Sequence, residues 1–179
     1  SVGAAFRTAL LPDHDDAQSL DEAVRDALSR DFLAPTLAAL AFVDLPSWLL
    51  PELGQKTRGV ALEEAFEAAA GPRLAAPFLR ARGPAGDWHP LLLLNATHQE
   101  TGRRVIMSHA RINRDPFLDS FDLHALTGVD LRLSTAAHNS ARFSFVSPAG
   151  RLAAHPDDED RGWIIDGGYF DNFGALTAL

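Results

Sequence analysis

A carboxylate followed by two glycines, Asp166-Gly167-Gly168, carries the clearest chemical signal in the sequence. The apolar residues Trp163–Ile165 precede it and predict a strand that ends at Asp166. Ligands gather at the carboxyl ends of strands in open α/β sheets, so Asp166 stands where a catalytic carboxylate is expected. Glycine has no Cβ, and Gly167 and Gly168 therefore predict the close approach of another backbone. The structural alternative is a simple turn, in which Asp-Gly is also common.

A carboxylate in this position suits general-base chemistry on a serine hydroxyl. It would take the proton of the serine during attack and later return it to the leaving group. Such a serine–aspartate dyad needs no histidine. Serine–histidine–aspartate hydrolases of the common α/β type carry their histidine after the acid in chain order. No histidine follows Asp166 in this sequence, as a dyad would allow.

Composition limits the class of protein. The chain has 179 residues, of which 46% are hydrophobic and 22% charged, and this indicates one globular domain with a core. A net charge of -8 argues against nucleic acid as a partner, because phosphate binding needs a positive surface. The absence of cysteine excludes disulfides, thiolate zinc sites and cysteine nucleophiles. The sequence displays neither a signal-peptide pattern nor a long uninterrupted apolar span.

Three internal segments have helical patterns. Ser19 and Glu22 predict a capping box for a helix whose apolar face comprises Leu20, Val24, Leu28 and Phe32. Residues Gly59–Ala70 predict a second helix, stopped by Gly71-Pro72. Residues Leu131–Ala141 predict a third. Between the first two lies the apolar stretch Asp31–Leu50, in which two prolines and an aspartate argue against a membrane-spanning helix. Packing in the core is the preferred interpretation of this stretch, and an interfacial segment is the alternative.

Strand patterns concentrate in the second half. The apolar run Pro90–Thr97 predicts a buried strand, and Arg104–Ser108 predicts a partner joined to it by a short turn, as in a hairpin. A loop is expected at Gly83–Gly86 and a final helix near Gly174. Strands mixed with helices indicate a layered α/β domain.

The run Ile165–Gly174 resembles the C-terminal catalytic signature of the patatin-like phospholipases, which are serine acyl hydrolases. Further segments are similar to parts of this family or of its large bacterial members: Asp31–Pro35, Arg58–Glu63, Leu94–Thr97, Glu100–Arg103, Ser134–Phe143 and Ser147–Gly150. The resemblance covers most of the chain and is most specific in the C-terminal third.

This resemblance implies a fold and an activity. The expected fold is a three-layer α/β/α patatin-like domain, of which residues 1–179 form the C-terminal portion. Both termini lie inside apolar helical patterns, so we expect the domain to be truncated at both ends. The implied activity is hydrolysis of carboxylic esters in phospholipids or other acyl lipids, with Asp166 as base and no metal or organic cofactor. Association with a membrane surface in a bacterial cell is implied by the same resemblance.

The sequence departs from the family at its nucleophile. The Gly-x-Ser-x-Gly elbow and the upstream oxyanion glycines are absent from the chain. Ser1-Val2-Gly3 looks like the residues that follow an elbow, which places the nucleophile three positions before Ser1. In a second alignment Ser1 itself is the nucleophile. Because oxyanion donors are worth about a hundredfold or more in rate, we expect the chain alone to be inactive.

Other polar residues have simpler interpretations. Asp171 and Asn172 are expected to cap the final helix, with a supporting hydrogen bond to the Asp166 turn. The acidic run Asp157–Asp160 lacks the ligand spacing of a calcium loop and predicts a solvated loop. His138 could pack near the site or be an ordinary helical histidine. Arg142 could pair with a carboxylate or a lipid phosphate, or form a structural ion pair. None of the histidines has metal-ligand spacing.

Two rival functions remain open from the sequence. One is a non-catalytic binding or scaffold protein that kept the patatin-like fold without its serine. The other is a hydrolase of another type that uses one of the histidines.

Overall fold

The structure is a computed structural model that describes residues 2–49, 57–80, 90–112, 117–144, 146–152 and 161–171. Several predictions from the sequence lie outside these ranges: Ser1 as nucleophile, the Gly83–Gly86 loop, the Asp157–Asp160 run, Asn172 as a cap and the helix near Gly174.

Five strands form one mixed sheet in the order β3-β2-β1-β5-β4. Their bounds are Leu93–His98 for β1, Arg104–Ser108 for β2, Ser120–Asp122 for β3, Gly150–Arg151 for β4 and Trp163–Asp166 for β5. Strand β1 is antiparallel to both β2 and β5, whereas β2 and β3 are parallel. The predicted hairpin and the last strand are confirmed, and the sheet with its helices confirms an α/β fold.

Helices make up the first half of the described chain and return between the strands. They are α1 (Val2–Leu10), α2 (Ala17–Leu28), α3 (Leu33–Ala39), α4 (Leu45–Ser47), α5 (Arg58–Ala70), α6 (Leu123–Thr127) and α7 (Leu133–Asn139). A π turn, Leu40–Asp44, joins α3 to α4. The predicted helices at 59–70 and 131–141 are confirmed as α5 and α7, and Gly71 ends α5 at a φ of 87°.

The core lies between one face of the sheet and helices α1, α5 and α7. Leu94 and Ala96 of β1 and Met107 of β2 are buried in it together with apolar residues of these helices. Phe6 of α1 and Phe66 of α5 meet edge to face, with ring centroids 5.6 Å apart. This contact joins α1 to α5, and both helices pack on α7, which contacts β1, the strand that pairs with β5.

The predicted capping box of α2 is wrong. The helix begins at Ala17, and its N-cap is Asp16, three residues before Ser19. The Asp16 carboxylate accepts hydrogen bonds from the backbone N–H groups of Gln18 and Ser19, both at 2.9 Å. Glu22 instead bonds the side chain of Gln18 at 3.2 Å. An aspartate caps a helix at least as well as a serine, so the helix starts after Asp16, the earlier of the two candidate caps.

Core packing of the stretch from Asp31 is confirmed for Phe32, whose ring meets Phe6 and Phe66 edge to face, but is wrong for most of the rest of its described part. Thr36 is the one buried residue between 31 and 49, while the side chains of Phe42 and Trp48 are 78% and 89% exposed. Only one face of this helical segment can contact α5, and the segment has more apolar residues than that face has positions. Among the residues that the structure describes, no helix has both the length and the apolar character to cross a membrane.

Candidate functional site

Asp166 is the last residue of β5 and pairs with Ala96 of the central strand. Its backbone is bonded on both sides: its N–H donates to the Arg142 carbonyl at 3.2 Å, and its carbonyl accepts from Thr97 Oγ1 at 2.9 Å. The residue is half-buried. Strand β5 therefore holds Asp166 at its own carboxyl end, level with the middle of β1, in a fixed backbone position.

The carboxylate of Asp166 has one oxygen engaged. Oδ1 accepts a hydrogen bond of 2.6 Å from the N–H of Gly168, in the 3-10 turn Gly167–Tyr169. Within the described ranges no hydrogen bond reaches Oδ2. One oxygen thus orients the carboxylate, and the other has lone pairs that can accept a further hydrogen bond.

Gly167 lies directly against the backbone of β1. A Cβ built on Gly167 would sit 2.8 Å from the carbonyl carbon of Asn95 and closer still to its oxygen. The N–H of Gly167 donates to the carbonyl of Ser140 at 3.4 Å. The predicted close approach of a backbone is confirmed at this residue, and only glycine fits there without a shift.

The end of α7 forms the platform for this turn. The carbonyls of Ser140 and Arg142, just beyond the helix, accept the N–H groups of Gly167 and Asp166. The Arg142 guanidinium in turn donates to Asn139 Oδ1 and to the Pro148 carbonyl, both at 2.7 Å. Burial lowers the pKa of Arg142 to about 10, which still leaves a cation at neutral pH. Its role here is to fix the chain after α7 by hydrogen bonds to an amide and a carbonyl.

Asp171 lies close to the same turn. Its N–H donates to the Gly167 carbonyl at 3.0 Å, which is a hydrogen bond to the Asp166 turn of the predicted kind. The helix that it was predicted to cap, and its neighbour Asn172, lie outside the described residues.

A second polar arrangement joins α5, α7 and the segment after α7. Glu63 Oε1 lies 2.8 Å from His138 Nδ1, and His138 Nε2 is hydrogen bonded to Ser147 Oγ. The carboxylate can only accept, so a neutral His138 carries its proton on Nδ1 and accepts the serine proton at Nε2. Glu63 also accepts from Thr135 Oγ1 at 2.7 Å and from the Arg132 guanidinium at 2.9 Å.

We call the hydrogen-bonded series Glu63–His138–Ser147 the relay. Its two titratable groups, Glu63 and His138, have shifted pKa values. Burial lowers the pKa of His138, assisted by the charge of Arg142 and opposed by the hydrogen bond to Glu63. Burial alone would raise the pKa of Glu63, but the hydrogen bonds from His138 and Thr135 and the nearby positive charges lower it. The ground state at neutral pH is therefore an anionic Glu63 and a neutral His138.

An acid–histidine–serine relay is the order of groups used by serine hydrolases, but its burial argues against that role here. His138 is fully buried, and Glu63 and Ser147 are each 6% exposed. A substrate carbonyl must come within about 3 Å of the nucleophile, which requires an open face that Ser147 lacks. The relay instead ties α5 to α7 and to the Ser147–Gly150 segment, and so supports the carbonyls that hold the Asp166 turn.

An opening of about 260 Å³ lies past the carboxyl ends of β2 and β3. Its lining includes Ser108, His109, Asp122 and His124. The histidines bond backbone carbonyls at 2.9 Å, and the Asp122 carboxylate accepts two backbone N–H groups. In the described part of the chain, no three histidine or acidic side chains are grouped to hold a metal ion.

Sequence patterns missed the relay because its members are far apart along the chain. Glu63 and His138 are separated by 75 positions and lie on different helices. The one available signal was polar residues on buried helix faces: Glu63 lies next to Leu62 on the core side of α5.

Comparison with family models, with curated proteins and with solved structures finds no match for this chain.

Proposed function

We propose that the chain is part of a patatin-like serine acyl hydrolase that cleaves carboxylic esters of phospholipids or other acyl lipids. The single observation that carries this proposal is the Asp166 turn. Its carboxylate ends a strand and is oriented by the Gly168 N–H through one oxygen. The backbone of the turn is held by β1 and by the end of α7.

A second observation supports it. Two of the segments that resemble the family, the one ending Ser140-Ala141-Arg142-Phe143 and the one beginning at Ile165, are distant in sequence but hydrogen bonded to each other. A three-layer α/β/α domain is the fold that we propose for the complete protein, and the mixed sheet and its helical layer are compatible with it.

The proposed chemistry uses Asp166 and a serine supplied by chain that precedes Ser1. As the serine oxygen attacks the ester carbonyl, Oδ2 of Asp166 takes the hydroxyl proton. Collapse of the tetrahedral intermediate breaks the ester C–O bond, and the same proton passes to the leaving alcohol. Water then hydrolyses the acyl-serine with Asp166 again as base, which releases the fatty acid.

The test requires the protein together with its upstream sequence. Asp166→Asn should lower kcat for a short-chain nitrophenyl ester about 100- to 10,000-fold, the usual contribution of a general base. Asp26→Asn is the matched control, because its side chain is 78% exposed on α2. It should leave kcat unchanged.

The outcomes separate the proposal from its rivals. Loss of activity in Asp166→Asn with unchanged thermal unfolding supports the dyad. Full activity in Asp166→Asn but none in His138→Gln would assign the reaction to the histidine relay. A protein with no ester hydrolysis and no serine that labels with a fluorophosphonate would be a binding protein.

A further inference from the structure

The outer side of residues 33–49 is entirely apolar. Every residue that is exposed in this segment is aliphatic or aromatic, and we call this set the apolar stripe: Leu33, Ala34, Leu37, Ala38, Ala41, Phe42, Leu45, Trp48 and Leu49. The spacing of three or four residues places them along one side of a continuous run of α3, the π turn and α4. At 1.5 Å per residue the stripe is about 25 Å long.

The polar residues of the same segment turn inward. Thr36 is buried and donates to the Phe32 carbonyl at 2.7 Å, and Ser47 donates to the Asp44 carbonyl at 2.8 Å. Asp44 forms an ion pair of 2.6 Å with Arg58 of α5. A surface helix normally has the opposite arrangement, with polar residues toward water. The inner side of this segment is satisfied by α5, so the stripe is a second apolar face that needs a partner of its own.

The shape and chemistry of the stripe favour a fluid hydrocarbon partner. Phe42, Trp48 and Leu49 protrude, with exposures of 78%, 89% and 81%. The stripe offers no side-chain donor or acceptor except the indole N–H of Trp48, whereas a protein interface carries about one hydrogen bond per 100–200 Å² and a polar rim. A ridge of bulky side chains needs a surface that deforms around it. Tryptophan prefers the level of lipid headgroups, where its ring and its N–H are both accommodated.

The net charge of the protein favours zwitterionic over anionic lipids as the partner of the stripe. The chain carries a net charge of -8, which opposes approach to an anionic lipid surface. The stripe contains no basic residue that could offset this repulsion. We infer that the apolar stripe adsorbs the protein to the surface of a zwitterionic phospholipid layer, with Phe42 and Leu49 inserted below the headgroups and the Trp48 ring at the level of the headgroups. This inference goes beyond the hydrolase proposal and is independent of it, since adsorption requires no bond cleavage.

The experiment is flotation of the 179-residue chain with phosphatidylcholine vesicles. The double variant Phe42→Ser/Trp48→Ser should lose at least tenfold in vesicle partition. The matched control is Leu91→Ser/Leu118→Ser, which removes two apolar side chains that are 53% and 75% exposed elsewhere. The control should partition like the wild type, and circular dichroism should show all three proteins folded.

Two further readouts decide the inference. Brominated acyl chains should quench Trp48 fluorescence, measured as the quenching that Trp48→Phe abolishes, and partition should change less than twofold between low and high salt. The inference is overturned if the chain does not float with these vesicles, or if it binds only anionic vesicles. It is also overturned if the stripe variant instead abolishes self-association seen by sedimentation without affecting flotation, because a second copy would then be the occupant.

Discussion

At the scale of single residues, the position of Asp166 depends on the absence of a side chain at Gly167. Gly167 has no Cβ to collide with the Asn95 backbone, and this lets the turn close against β1. The Asp-Gly-Gly pattern was sufficient to predict both the end of the strand and the close approach. It could not predict the partners of the turn, because the carbonyls of Ser140 and Arg142 are brought there by the tertiary fold.

Gly167→Ala should therefore destabilise the protein by about 1–3 kcal/mol, because the new methyl group meets backbone atoms that cannot rotate away. Gly3→Ala is the matched control, since a Cβ there meets only Leu28 Cδ1 at 3.7 Å inside α1. It should stabilise by up to about 0.5 kcal/mol through helix propensity. Urea unfolding of both variants measures the difference, and equal midpoints would contradict the close approach.

At the scale of elements, the link between α5 and α7 is polar rather than only apolar. Arg132 and Thr135 donate to Glu63 alongside His138, and Ser134 donates to Glu67 at 2.6 Å. Apolar periodicity predicted both helices, but the same periodicity is silent on polar groups that satisfy each other across an interface. The prediction of core packing for residues 33–49 was wrong for a related reason. The apolar residues of this segment cover more than one helix face, and their pattern does not say which face packs against the rest of the protein.

Acid should weaken this link in two steps. The pKa of His138 is lowered in the folded state by burial, so the unfolded state binds more protons and stability falls as pH drops below about 6.5. The pKa of Glu63 is also lowered, so its contribution is present above about 4.5 and is lost as pH falls through its folded value. The slope for one such group cannot exceed about 1.4 kcal/mol per pH unit.

Urea unfolding at pH 7.5, 6.0 and 5.0 measures the first step. His138→Gln should be less stable at pH 7.5 but should lose less stability between pH 7.5 and 5.0, because the titrating ring is gone. His14→Gln, in the loop before α2, is the control and should keep the wild-type slope. A wild-type slope in His138→Gln would mean that another group causes the acid sensitivity.

At the scale of the molecule, β1 is the strand on which the site depends. It pairs with β2 on one side and β5 on the other, and five of its six residues are buried. The hairpin was predictable because β1 and β2 are adjacent in the sequence. The insertion of β5 beside β1 was not, since Thr97 and Asp166 are 69 positions apart, and β3 and β4 are too short to show a pattern.

This architecture predicts an uneven distribution of local stability. Strand β1 is hydrogen bonded on both edges and buried on both faces, so its amides should exchange with deuterium only on global unfolding. Residues 33–49 have one buried residue and an exposed apolar side, so they should open locally at a much lower free energy. Exchange followed by mass spectrometry should show peptides of β1 and β2 as the slowest and peptides within 33–49 as the fastest of the helical segments. The second half of the expectation fails if 33–49 exchanges as slowly as α5, because its packing on α5 would then be enough to hold it closed without a partner on the stripe.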